Sequence, residues 1–190
     1  MKFTRIITTF LSLSFLTACT LINERGTHVD KEQFLEEAEK IDSTKSYSKC
    51  SVEWEYSVTM DGESMSEHNT VRYESDGGSS WSVVEGDEGK IPTSSYVYYN
   101  VGMRFDASSL ASVIESYSGD GYKLSLFVNP LKATISYTSG GGDSEGSSSE
   151  IHNTDTIKFD KYGYVTFLEE VSTRDKDSLH TLVKFSYSDW

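Results

Sequence analysis

Four histidines, two cysteines, thirty carboxylates and many serines are the side chains of this 190-residue chain that could do chemistry. His28, His68, His152 and His180 show no HxH, HxxxH or HExxH spacing, so they read as four surface histidines rather than zinc ligands. The acidic clusters Asp61-Gly62-Glu63, Gly86-Asp87-Glu88-Gly89 and Asp143-Ser144-Glu145 are loops, and none fits a twelve-residue calcium loop. Neither a Walker loop nor GxGxxG occurs. Carboxylate pairs carry no weight, because thirty acids offer too many of them. Cys50 lies in an alternating run with no histidine near it in sequence, which favours an inert buried thiol. The expectation is a protein without catalytic residues, metal ligands or cofactor, and no ligand-binding residue can be assigned.

Cys19 differs because of what precedes it. Lys2 and Arg5 open the chain without an acid, and residues 6–16 form an apolar run broken only by Thr8, Thr9, Ser12 and Ser14. As a helix that run rises only ~17 Å, against the ~30 Å of a bilayer core, so it reads as a secretory signal rather than a span. Directly after it, Leu16-Thr17-Ala18-Cys19 resembles the lipobox of bacterial lipoproteins. The resemblance implies cleavage between Ala18 and Cys19, with the Cys19 thiol taking diacylglycerol and further acylation by a fatty acid such as palmitate. The chain would then be a lipoprotein anchored in the cell membrane through Cys19, on the extracellular or periplasmic side. Thr20 is not the aspartate that retains lipoproteins at the inner membrane of two-membrane bacteria. Residues 1–18 are thus expected to be the signal, 19–29 the lipidated cysteine and a short polar tether, and 30–190 a single β-rich domain. With Cys19 committed to lipid, Cys50 has no partner for an intrachain disulfide.

The net charge of −13 becomes −15 once Lys2 and Arg5 leave with the signal. Such acidity excludes the basic footprint of a nucleic-acid binder and opposes broad contact with anionic headgroups. It reads chiefly as a solvated surface.

Two periodicities organise the rest. Asp30 as N-cap, with Gln33 closing a capping box, starts a helix in which Phe34, Leu35, Ala38 and Ile41 share a face. A second helix over 107–117 aligns Leu110, Val113, Ile114 and Tyr117 in one apolar stripe. Elsewhere the period is 2. Cys50, Val52, Trp54, Tyr56, Val58 and Met60 alternate with polar residues, and further strands are expected near 69–74, 81–83, 97–105, 122–128, 131–137, 155–160, 164–171 and 179–187. Residues 139–149, rich in Gly and Ser, read as a flexible hairpin tip. The many aromatics of these strands either fill a core or line a hydrophobic groove, and both readings stand.

One helix, a meander of strands, a central striped helix and more strands behind a lipobox resemble the LolA/LolB-like lipoprotein-carrier fold. The closing hairpin Ile157-Lys158-Phe159-Asp160-Lys161-Tyr162-Gly163-Tyr164 adds to that likeness. The resemblance implies an α+β protein: a curved antiparallel sheet of about 8–10 strands, an incomplete barrel, with both helices on its concave face around an apolar cavity. The expected function is a non-enzymatic, membrane-tethered binder of a lipid or other apolar ligand. The alternative is an envelope-structural or protein-interaction lipoprotein whose partner is another envelope protein. No nucleic-acid partner is expected.

Overall fold

The computed structural model describes residues 26–76, 80–86, 101–140 and 150–189. In chain order these form β1 (Thr27–Val29), α1 (Lys31–Ala38), β2 (Lys49–Met60), β3 (Glu63–Ser75), β4 (Trp81–Glu85), α2 (Ala107–Ser116), β5 (Tyr122–Val128), β6 (Leu131–Gly140), β7 (Glu150–Phe159), β8 (Val165–Arg174) and β9 (Asp177–Ser188). All nine strands join one open antiparallel sheet, ordered β1-β5-β6-β7-β8-β9-β2-β3-β4. This is the α+β class read from the sequence, with a strand count inside the expected range.

The two helices follow the caps that announce them. Asp30 Oδ1 accepts the Gln33 N–H at 2.9 Å, and Asp106 Oδ1 accepts the Ser109 N–H at 2.8 Å and its hydroxyl at 2.7 Å. Each helix is also a crossover. α1 carries the chain from the edge strand β1 to β2, six places along the sheet, and α2 carries it from the far edge β4 back to β5. Both connections must therefore cross a sheet face, and both bury their stripe there: Phe34 and Ala38 of α1, and Leu110 and Ile114 of α2, belong to the core. Lys31 of α1 forms an ion pair with Glu115 of α2.

Cross-strand partners in an antiparallel sheet share a face, so the pairings Cys50↔Tyr187, Val52↔Phe185 and Trp54↔Val183 stack the apolar side of β2 against that of β9. Phe34, Val52, Trp54 and Val71 are at most 1 % exposed, each worth about 1.5–3 kcal/mol of burial. Register shifts at Arg72/Tyr73 and Lys158/Phe159 are bulges that bend the sheet around this core.

Two stretches differ from the sequence reading. The residues taken as the end of the tether, Thr27–Val29, form strand β1 against β5, with Thr27↔Val128 and Val29↔Leu126. Three residues are too few for a period to show, and only the open edge of β5 gives them a partner. The strand expected over 97–105 lies partly outside the described residues. Its described end holds only the isolated Arg104↔Tyr164 bridge, because Gly102 turns the chain at φ +79° and Asp106 already caps α2. Of the expected 139–149 tip, Ser139 and Gly140 belong to β6, and 141–149 lie outside the described residues.

Candidate functional site

The core face is apolar near α1 and changes character beyond α2. One row of partners across adjacent strands reads Leu124 (β5), Ile135 (β6), Asp155 (β7), Glu170 (β8), Thr181 (β9) and Tyr56 (β2). Two carboxylates therefore stand directly opposite each other on the inner side of the sheet, where Cβ atoms are about 4.5–5.5 Å apart. They line a cavity of about 240 Å³ together with Met103, Phe105, Val113, Tyr117, Ile135, Ile157 and Leu168, and Thr156 and Glu169 border it as well. The far end of the α2 stripe, Val113 and Tyr117, roofs it, and the segment before α2 supplies Met103 and Phe105.

Glu170 is only 6 % exposed, and its Oε2 has no hydrogen-bond partner among the described residues. The same holds for Asp155 Oδ1 and for the Thr181 hydroxyl, whose residue is 1 % exposed. Burial, and then the neighbouring Glu170 charge, push the Asp155 carboxyl up to about 6 against a hydrogen bond from Tyr137. The next row is satisfied by contrast: Ser172 donates to Asn153 Oδ1 at 2.8 Å, and Asn153 donates to the Ser139 hydroxyl at 3.0 Å. Polarity on this face is thus not uncompensated in general. It is uncompensated at Asp155, Glu170 and Thr181, and at Trp54 Nε1 within the core.

Two other depressions lack this tension. A cleft of about 470 Å³ beside the Asn129-Pro130 turn is lined by Glu37, Lys40, Asp160 and Lys161 among others. Lys40 donates to Glu37 at 2.5 Å, Asp160 accepts the Tyr47 hydroxyl at 3.0 Å and the N–H groups of Tyr162 and Tyr164 at 2.9 Å each, and Lys161 lies over the Tyr162 ring at 4.9 Å. Farther along the core face, Val58, Met60, Ile151 and Leu179 edge a shallower apolar hollow of about 220 Å³.

The aromatics divide between the two readings left open. Tyr47, Trp81, Tyr164 and Tyr187 contact one another as structural packing, Tyr47 stacking on Tyr187 at 5.3 Å, whereas Phe105 and Tyr117 line the cavity. Cys50 is a free buried thiol, pushed up to about 12 mainly by burial. In a Cys19→Ser chain, Cys50 is therefore expected to react with a disulfide reagent at pH 8 only as fast as the protein unfolds; reaction at the rate of a free thiol would contradict its burial. No histidine lines the cavity itself: His28 meets Phe127 edge-on, His152 contacts Thr138, and His180 contacts Glu169, which borders the cavity, at 2.9 Å. Among the described residues no three His, Cys, Asp or Glu side chains gather as a metal site would need.

Ala18 and Cys19 lie outside the described residues, as does the whole signal segment. Among the described residues no helix is long and apolar enough to cross a membrane. Sequence reasoning passed over Asp155 and Glu170 as two acids among thirty. The available signal was phase: Asp155 falls in step with Ile157 and Phe159 on the apolar face of β7. Comparison with protein-family models, curated proteins and solved structures yields no match.

Proposed function

We propose that this chain is a lipoprotein held to the cell membrane through Cys19, and that its domain binds a small apolar ligand without catalysing a reaction on it. The observation that carries the ligand half of this reading is the cavity between α2 and the sheet, with Met103, Phe105, Val113, Ile157 and Leu168 as walls. Specific ligand sites are concave, mostly apolar and furnished with a few convergent polar groups, which describes this one. Its volume of about 240 Å³ falls just below the ~300–1,000 Å³ usual for drug-sized ligands, so a compact molecule or the end of one chain suits it better than a whole diacyl lipid. The anchor half rests on Leu16-Thr17-Ala18-Cys19 after a signal-length apolar run.

Each half has its own test. Cells fed labelled palmitate are expected to label the chain, and Cys19→Ala to lose both the label and the membrane fraction; an unchanged label would refute the anchor. Native mass spectrometry is expected to show a small co-purifying mass that Val113→Trp, which fills the cavity, removes. A second reading, a protein-interaction lipoprotein, is favoured by the exposed apolar side chains Met60, Met65 and Val84, the last on the edge strand β4. A ligand-free mass, together with a partner captured by the native chain and lost with Val84→Lys, would favour it.

A further inference from the structure

We infer that the ligand of the cavity is a monocationic amine with a compact apolar body, its ammonium group seated between Asp155 and Glu170. The inference rests on the reading of the cavity as a ligand site, and it specifies the chemistry of the ligand.

Asp155 and Glu170 are register partners on neighbouring strands, and both face the cavity. Like charges directly opposite in a sheet repel, and an uncompensated carboxylate away from water is among the costliest arrangements a fold can hold. A fold that needed only packing here would place an apolar residue at either position, as it does at the adjacent Ile157 and Leu168. Buried polar atoms are nearly always hydrogen-bonded, so each exception calls for a missing partner.

Two carboxylate oxygens at the cavity lack one among the described residues, Glu170 Oε2 and Asp155 Oδ1; the Thr181 hydroxyl, next in the same row but not lining the cavity, lacks one too. An ammonium group has three donors and no acceptor, so it can donate to both carboxylate oxygens. It also carries the charge that two facing carboxylates require. A hard divalent cation fits less well, since calcium takes 6–8 oxygens and the facing pair offers two carboxylates, the nearby Glu169 carboxylate being paired with His180. The apolar walls set the rest of the molecule: Met103, Phe105, Val113, Ile157 and Leu168 give an aliphatic or aromatic body a place.

The test uses three probes of one shape: phenethylammonium, 2-phenylethanol and 3-phenylpropionate, titrated calorimetrically into the full chain in phosphatidylcholine nanodiscs, with empty discs subtracted. Phenethylammonium is expected to bind at least about tenfold more tightly than the alcohol, a preference of ~1.4 kcal/mol, and the carboxylate not to bind. Glu170→Gln and Asp155→Asn are expected to erase the preference while leaving alcohol binding in place, and retention of the alcohol shows that the cavity is intact. Equal binding of ammonium and alcohol to the native chain would overturn the cation assignment but leave the apolar site standing. An ammonium preference that survives both substitutions would place the amine elsewhere and also overturn it. Failure of both probes to bind at millimolar concentration would remove the inference and the ligand-site reading together.

Discussion

Asn in place of Asp155 is expected to stabilise the protein at pH 7 and to abolish a loss of stability that the native chain suffers as pH rises from about 4 to about 6. The cause is the cavity floor. Burial first, and the Glu170 charge second, lift the Asp155 carboxyl from its ordinary 3.8 to about 6. Below pH 4 the group is protonated whether the chain is folded or not, and contributes no difference. Between about 4 and 6 the unfolded chain releases this proton while the folded chain keeps it, so the folded state binds more protons and stability falls with rising pH. Above about 6 both states are ionised and the full penalty is present. A displacement of about two pH units corresponds to ~3 kcal/mol at most, and partial solvent access and the Tyr137 hydrogen bond reduce what is recovered to about 1–3 kcal/mol.

Asparagine keeps the shape and can still accept from Tyr137, but carries no charge. Urea unfolding of both proteins across pH 4 to 8 measures the effect, and the difference between the two curves isolates Asp155 from every other carboxylate. A difference that stays flat through that window would show that the carboxylate is not desolvated as its position implies. The amine proposed for the site has the converse signature, since it should stabilise the native chain and do less for Asp155→Asn.

Gly163→Ala is the second large effect, and it acts through the backbone. Gly163 closes the β7–β8 turn at φ +82°, and a Cβ there would stand 2.0 Å from the carbonyl oxygen of Phe105 and 3.0 Å from Ile41 Cγ2. The close approach has a purpose: the Phe105 N–H donates to the Gly163 carbonyl at 2.8 Å, and the Val165 N–H donates to the Met103 carbonyl at 3.0 Å. These bonds strap the segment before α2 onto the hairpin. The left-handed backbone costs an alanine about 1–2 kcal/mol, and the overlap adds ~1–3 kcal/mol more, so a total of about 2–5 kcal/mol is expected.

Gly62→Ala is the control. Its φ of +84° is nearly the same, yet nothing lies within 4 Å of the added atom, so only the conformational part applies. If chemical denaturation finds the two substitutions equally costly, the strap is not held as described. Because Met103 and Phe105 ride on that strap, Gly163→Ala should also weaken phenethylammonium binding, whereas Gly62→Ala should not.

How far the sequence reaches can be traced residue by residue. Helix α1 is legible because a local rule fixes each part: Asp30 caps it, and Phe34 and Ala38 recur at helical spacing. The β2 strand is legible because Cys50, Val52 and Trp54 alternate with polar neighbours, and all three are buried. The turn at residues 160–163 is legible from Asp160 and Gly163, and both do what such residues do in turns: Asp160 accepts the N–H groups of Tyr162 and Tyr164, and Gly163 takes the left-handed backbone. Strand β1 was illegible, since Thr27–Val29 is ordered only by an edge that comes a hundred residues later. The pairing of β2 with β9 was equally hidden, because nothing local distinguishes Phe185 from any other apolar residue as the partner of Val52.

The sequence by itself determined the caps, the periods, the acidic surface and the expectation of a lipid on Cys19, since each depends on residues within a few positions of one another. Only the tertiary structure decided which acids matter. Asp155 and Glu170 are fifteen positions apart, and either alone is an unremarked carboxylate. The Asp160–Gly163 turn sets β7 against β8 in a register that makes them neighbours, and the crossover of α2 roofs them with Val113 and Tyr117. Desolvation and repulsion are properties of that juxtaposition, which the covalent order of the chain does not contain.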